Sequence, residues 1–217
     1  MSLSLRFIHV AGFSALLALG VSGCSDADGR SSSDAPAQTF IGELQGTDAL
    51  IAIVEQDRSW IAYVCGGPQT YATLTRWFGG TGQGGAGERT LRADAEDASL
   101  VAKPAADARE GTITNGDREF AFRADPIPTR VVEVTGLYSA IHTGCRAGLV
   151  VMPGSAGSTP RMQGVWCDRT GQVGQVTPIM PLTVQDAQVA VRAGEPAQQL
   201  YMQPAVPPLE LTPGSAP

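Results

Sequence analysis

Basic residues, histidine and long apolar runs are scarce in this sequence, and each scarcity excludes a class of protein. Lys103 is the only lysine among 15 basic residues, and 21 acidic residues give a formal net charge of −6. Such a chain has no basic patch that could neutralise several phosphates, so we expect no nucleic-acid partner. The 43% hydrophobic share excludes a wholly disordered chain. The 26 glycines and 15 prolines exclude a long helical protein.

The longest apolar run lies near the start and has the form of an export signal. Arg6 precedes an apolar stretch over residues 7–19, which small residues follow. A membrane-spanning helix needs about 20 apolar residues, and His9 and Ser14 interrupt this stretch. Residues 1–23 are therefore predicted to be a signal peptide rather than a membrane span.

The end of this signal, Val21-Ser22-Gly23-Cys24, resembles the lipobox of bacterial lipoproteins, in which small residues precede an obligatory cysteine. The resemblance implies cleavage before Cys24 and a diacylglyceryl thioether on its sulfur. Two acyl chains anchor a protein firmly, since each buried CH₂ contributes about 0.8 kcal/mol. The resemblance therefore implies an extracytoplasmic protein that is held on the cell membrane or envelope by lipid. The alternative is ordinary secretion, with a cysteine after the cut by chance.

Two segments poor in packing residues frame the folded part of the chain. Residues 24–38 contain no aromatic and no β-branched side chain, which predicts a flexible tether that begins with the lipidated cysteine implied by the lipobox resemblance. Residues 203–217 contain five prolines, which predicts a Pro-rich disordered tail. The folded domain is therefore predicted to span residues 39–202.

Inside that domain, short apolar runs broken by Gly, Pro and Asp predict many short strands. The predicted strands are 39–44, 49–54, 60–65, 89–93, 99–103, 111–114, 118–123, 131–134, 148–152 and 162–167, with weaker ones at 173–176, 188–192 and 199–202. Asn115-Gly116 separates two of these runs and predicts a tight β-hairpin turn, because both residue types tolerate positive φ.

One segment, residues 69–78, has helical spacing instead. Tyr71, Leu74, Trp77 and Phe78 would share one face of a helix there. The predicted fold class is all-β: a single antiparallel meander that forms a barrel or a sandwich, with one short helix near residues 69–78.

Three short motifs between residues 40 and 80 resemble exported proteins of high-GC actinobacteria. The motifs are Gly46-Thr47-Asp48-Ala49, Ala62-Tyr63-Val64-Cys65 and Trp77-Phe78-Gly79. A composition rich in Arg and Ala but almost free of Lys fits the same source. This family implies export and no particular activity.

Lipidation would use one of the four cysteines and leave Cys65, Cys145 and Cys167. In an oxidising envelope two of these three are expected to pair. Cys145 and Cys167 flank a predicted hairpin in which Val150 would face Met162, so they are the preferred disulfide, worth about 3 kcal/mol on the chain-entropy estimate. A bond to Cys65, or no bond, is the alternative. Cys65 at the end of an apolar strand is most simply a small buried hydrophobe.

Residues that could carry catalysis or bind a metal are few. His142 is the one histidine after the signal peptide, and no Gly-x-Ser-x-Gly elbow supplies a nucleophile. A Cys₃His zinc site would combine His142 with Cys65, Cys145 and Cys167, but it competes with the disulfide for the same sulfurs. We therefore expect no metal site, and we interpret His142 as a loop residue.

Two further motifs have ordinary interpretations. The glycines of residues 79–87 match a dinucleotide fingerprint, but a helix is predicted before them and a strand after them, the reverse of what that fingerprint needs. They are interpreted as a flexible loop, and no cofactor is expected. Asp94, Glu96 and Asp97 lack the spacing of a calcium loop and are interpreted as a solvated turn.

Five aromatic residues are candidates to line a ligand cavity, because a barrel of about eight strands can hold one small molecule. They are Trp60, Tyr63, Trp77, Phe78 and Trp166. The alternative is that they fill the core.

The scarcity of catalytic machinery favours a non-catalytic binding module that takes a small apolar ligand or an envelope protein partner. An envelope hydrolase that uses His142 or a carboxylate pair is one alternative. A structural envelope protein is the other.

Overall fold

The computed structural model describes residues 36–81, 87–93, 97–128, 134–154 and 159–207. Its elements are β1 Gln38–Leu44, β2 Leu50–Gln56, β3 Ser59–Cys65, α1 Tyr71–Leu74, β4 Arg76–Thr81, β5 Arg89–Ala93, β6 Ala98–Ala105, β7 Ala108–Asn115, β8 Arg118–Pro126, β9 Gly136–His142, β10 Cys145–Met152, β11 Arg161–Cys167, β12 Val173–Gln175, β13 Thr177–Pro178, β14 Val184–Gln185, β15 Gln188–Ala193 and β16 Gln198–Pro204. The predicted all-β antiparallel fold is confirmed.

Strands β1 to β8 pair in chain order, and β1 closes on β8 to complete an eight-stranded antiparallel barrel. Closure depends on Gly42, because a Cβ at that position would overlap the backbone of β8 at Arg123 and Ala124. Side chains that alternate along each strand fill the barrel interior. Phe40, Ile53 and Leu100 are among those that have no exposed surface.

The remaining strands form a second sheet in the order β12-β11-β10-β9-β16-β15-β13, with β14 also paired to β15. One face of this sheet packs on the outside of the barrel, where Leu137, Val150 and Val165 meet Tyr63 and other residues of β1 to β4. The opposite face curls around a third apolar cluster that includes Leu149, Val191 and Met202. Strands β2 and β3 are consequently buried on both faces, which explains their continuous apolar sequences.

The short helix is present but ends earlier than its predicted range. It covers only Tyr71–Leu74, and Trp77 and Phe78 belong to β4. Trp77 packs outward between the two sheets, whereas Phe78 packs inside the barrel. Because both faces of β4 are buried, two adjacent positions of this strand carry aromatic residues. Together with Tyr71 and Leu74 they match the apolar spacing of a helical face.

Two hairpins differ from their predicted registers by one residue. In the β7–β8 hairpin Asn115 pairs with Arg118, so the turn residues are Gly116 and Asp117 rather than Asn115 and Gly116. Gly116 has a φ of +57° there.

In the β10–β11 hairpin, Val150 pairs with Gln163 and Val151 pairs with Met162, so the predicted pairing of Val150 with Met162 is wrong by one residue.

Several sequence predictions fall wholly or partly outside the described residues. The signal peptide, the lipobox and almost all of the tether do so, as do most of the predicted strand 131–134 and of the Pro-rich tail. Of the glycine-rich segment, Gly79 and Gly80 lie in β4 rather than in a loop, and β5 follows. Of the acidic cluster, Asp97 alone is described, and it lies in a turn.

Candidate functional site

The five candidate aromatics are distributed over three separate cores. Trp60 and Phe78 lie inside the barrel. Tyr63 and Trp77 lie between the barrel and the second sheet, with ring centroids 4.4 Å apart. Trp166 lies in the cluster within the second sheet. All five are buried, so the structure packs them as core residues and does not bring them together around one cavity.

One end of the barrel interior is closed by an ion pair rather than by an open mouth. Arg109 donates two hydrogen bonds to the Glu55 carboxylate, at 2.6 Å and 2.8 Å. Its guanidinium also lies 4.2 Å from the centre of the Phe40 ring. Both charged side chains are largely buried, at 14% and 13% exposure. The two hydrogen bonds pair the charged groups of Arg109 and Glu55 with each other, and the paired side chains close this end of the barrel.

The cysteines take the pairing preferred from the sequence. Cys145 and Cys167 form a disulfide with their Cα atoms 5.6 Å apart. Cys65 is a buried free cysteine in the cluster between the two sheets. Burial raises the pKa of the Cys65 thiol far above its usual range, although a hydrogen bond with Tyr63 acts in the opposite direction. The disulfide removes two sulfurs from the hypothetical Cys₃His zinc site.

His142 lies at the end of β9, with its ring edge-on to Trp166 at a centroid distance of 6.0 Å. The hydrogen bond from the Thr170 hydroxyl and those from the backbone N–H groups of Gln172 and Thr170 lower the pKa of Asp168, and an electrostatic interaction with His142 lowers it further. The Asp168 carboxylate is thus held mainly by its own turn. Among the described residues, no group of three or more His, Cys, Asp and Glu side chains could hold a metal ion.

An open groove lies where β9 and β16 separate. These strands are neighbours in the second sheet, but their ladder contains only Gln203 with Ser139 and Pro204 with Tyr138. The groove has a volume of about 410 Å³. Its lining consists of Ser139, Ala140, Ile141, Arg146, Leu200, Tyr201, Gln203, Pro204, Ala205 and Val206.

Most of the large apolar side chains that the described residues expose surround this one groove. Ile141 is 60% exposed, Tyr201 is 55% exposed and Val206 is 51% exposed. Met180, at 56% exposure, is the fourth such residue and does not line the groove. Scattered single apolar residues are normal on a surface, but a cluster of them marks an interaction site.

A second groove, of about 390 Å³, is polar and lies beside α1. Asp48 lines it, but its carboxylate accepts hydrogen bonds from the backbone N–H of Gln69 at 2.7 Å and from the Thr70 hydroxyl. Burial raises the pKa of Asp48, yet these hydrogen bonds outweigh burial and leave the pKa lowered. Asp48 therefore holds the segment before α1 in place, and we assign the polar lining of this groove a structural role.

Sequence reasoning did not find the β9–β16 groove, because β9 itself was not predicted. The sequence GLYSAIH mixes small, polar and apolar residues without clean alternation. The signal that was available is Ile141, a large apolar residue between Ala140 and His142.

No family model, no curated protein and no solved structure matches this chain. Within the described residues, none of the helical structure is long and apolar enough to cross a membrane.

Proposed function

We propose that this protein is a lipid-anchored exported binding module, and that it docks a protein partner of the cell envelope in the β9–β16 groove. The observation that supports binding is the grouping of Ile141, Tyr201 and Val206 around one open groove. The lipobox resemblance at Cys24 supports the anchor.

The way the cores are packed favours a protein partner over a small apolar ligand. Pockets for small molecules enclose most of their ligand. In this chain the candidate aromatics are buried among other core side chains, and Arg109 with Glu55 closes one end of the barrel. The groove is open along one side of the second sheet, which suits a macromolecular surface.

A binding role also agrees with the chemistry of the titratable groups described above. His142 packs on Trp166, and Asp168 is engaged by its own turn. Cys65 is buried with a raised pKa, which suppresses the thiolate that a nucleophile requires. These arrangements support a non-catalytic module over the hydrolase alternative.

The anchor is tested by growing cells with a radiolabelled fatty acid and isolating the protein. We expect label on the wild type and on Cys65→Ala, but none on Cys24→Ala. Cys65→Ala is the matched control because it also removes one cysteine. Equal labelling of Cys24→Ala would refute the anchor.

The docking site is tested by placing a photo-crosslinking phenylalanine analogue at single positions in intact cells. We expect one discrete crosslinked protein, identified by mass spectrometry, from position 201. The same analogue at position 180 is the matched control, because Met180 is equally exposed but lies outside the groove. Equal crosslinking at both positions, or none at position 201, contradicts the proposal.

A further inference from the structure

We infer that the occupant of the β9–β16 groove is an extended peptide segment of the partner, which adds to the second sheet as a strand between β9 and β16. This inference rests on the proposed function and specifies how the partner binds. The register of the two strands supports it, rather than the apolar character of the groove.

The ladder between β9 and β16 is interrupted at one identifiable pair. Gln203 is opposite Ser139, so continuing the antiparallel register would place Tyr201 opposite Ile141. That pair is not formed. Instead both residues are exposed and line the groove.

The backbone groups of this unformed pair face the gap. The N–H of Ala205 donates to the carbonyl of Leu137 at 2.9 Å, which shows that the backbone of Leu137 points towards β16. Because the direction alternates along a strand, the N–H and C=O of Ile141 also point towards β16. By the same argument, those of Tyr201 point towards β9.

The other edge of each strand is already paired with a neighbouring strand. β9 pairs with β10 along its whole length, from Gly136 to His142. β16 pairs with β15 from Gln198 to Met202. The described part of the sheet therefore presents two facing strand edges without a ladder partner, over residues 140–142 of β9 and residues 198–202 of β16.

An extended polypeptide is the occupant that matches two such edges, because it carries one N–H and one C=O per residue at the strand repeat. Peptides bind sheet edges in this way, with backbone hydrogen bonds giving affinity and side-chain pockets giving specificity. Ile141 and Tyr201 would contact apolar side chains of the peptide. Arg146, opposite Ile141 on β10, is the charged residue of the groove lining, so a carboxylate in the peptide is favoured.

The test uses the full chain in detergent and a fluorescent seven-residue peptide with valine at positions 1, 3 and 7, glutamate at position 5 and serine between them, so that valine and glutamate share one face of the strand. We expect saturable binding that weakens at least tenfold when the amide nitrogens of the three central residues are methylated. Methylation removes the backbone donors but keeps the side chains. Equal binding of the methylated peptide would assign the groove to apolar side chains or a small apolar ligand, and would overturn the inference.

Charge and position are tested in the same assay. The glutamate peptide is expected to bind about tenfold more tightly than a lysine version, and Arg146→Gln should remove that preference. A combined Ile141→Thr and Tyr201→Thr variant should lose binding, whereas Met180→Thr should keep it. Thermal melting confirms that each variant folds, and unchanged binding by the combined variant contradicts the inference.

Two other occupants give distinct results. A peptide that fails to bind while the protein dimerises through residues 141 and 201 would assign the groove to a second copy of the chain. A variant that ends at Pro207 and binds the peptide at least tenfold more tightly than the full chain would assign the groove to residues 208–217. Crosslinking at position 201 in cells combined with no effect of N-methylation would leave the proposed function standing and overturn only the strand mode.

Discussion

Single residues in the turns hold backbone conformations that their side chains disfavour, and Ala106 is the clearest case. It occupies the two-residue turn between β6 and β7 with a φ of +55°. A left-handed conformation costs a non-glycine residue about 1–2 kcal/mol. Ala106→Gly should therefore raise the free energy of unfolding, measured by urea denaturation, by about 0.5–1 kcal/mol after the entropy of glycine is counted.

The adjacent Ala105 is the control for that prediction. It lies at the end of β6 and is not among the residues with positive φ. Ala105→Gly should lower the free energy of unfolding, since glycine weakens a strand end without relieving strain. A decrease for both variants would show that the turn at Ala106 is not strained.

The Asp48 carboxylate links the β1–β2 connection to the segment before α1, and its lowered pKa makes this link pH-dependent. Burial raises this pKa, but the hydrogen bonds from Thr70 and the backbone N–H of Gln69 lower it more. A lowered folded-state pKa contributes stability above the ordinary value of 3.8, and this stability disappears as the pH falls through the folded-state value.

Asp48→Asn should consequently lower the free energy of unfolding at pH 7, by about 1 kcal/mol. Denaturation curves at pH 7 and pH 3 should show the difference from wild type shrinking at the lower pH. Asp107→Asn in an exposed turn is the control and should have little effect at either pH. A constant difference between wild type and Asp48→Asn across this range would contradict the assigned hydrogen bonds.

At the scale of elements, the contact between β3 and β10 holds the second sheet close to the barrel. The Tyr63 ring lies directly over Gly148, so a Cβ at that position would overlap the ring. Gly148→Ala should therefore destabilise the protein by about 1–3 kcal/mol, the usual cost of overpacking a core. Gly87→Ala is the matched control, because a Cβ there meets nothing within 4 Å. Equal denaturation midpoints for the two variants would show that this contact can relax.

The sequence predicted those elements whose burial gives a simple pattern. The continuous apolar run of β2 and the alternating burial of β8 each match one kind of strand. The disulfide could also be predicted, because it depends only on which cysteines flank a hairpin. The groove could not, because it depends on where β9 and β16 separate, and these strands lie more than 50 residues apart in the chain.

Strand β4 shows why the remaining elements were harder to predict from the sequence. Its Trp77 and Phe78 face two different cores, a situation that exists only once the second sheet has packed on the barrel. The local spacing of apolar residues does not reflect that packing, so the predicted helix extended into the strand. The one-residue shift in the β10–β11 register has a different origin: the predicted register placed Cys145 directly opposite Cys167, whereas the two cysteines are bonded diagonally.

On the scale of the whole molecule, the barrel and the second sheet share a core. The cluster between them takes Ile41, Leu50 and Tyr63 from the barrel, and Leu137 and Val150 from the second sheet. Polar contacts cross the same boundary: Gln163 donates hydrogen bonds to the backbone carbonyls of Cys65 and Asp48. Neither sheet can lose its partner without exposing fully buried apolar side chains.

The three tryptophans report on the three cores separately. Trp60 lies in the barrel interior, Trp77 in the shared cluster and Trp166 in the second sheet. Single-tryptophan variants, made by changing the other two to phenylalanine, should therefore follow the unfolding of each core by fluorescence. Because the shared cluster couples the sheets, the fluorescence and far-UV circular dichroism transitions of each variant in urea should coincide. A fluorescence midpoint for the Trp166 variant well below its own circular dichroism midpoint would show that the second sheet unfolds first and that the shared core does not couple the two.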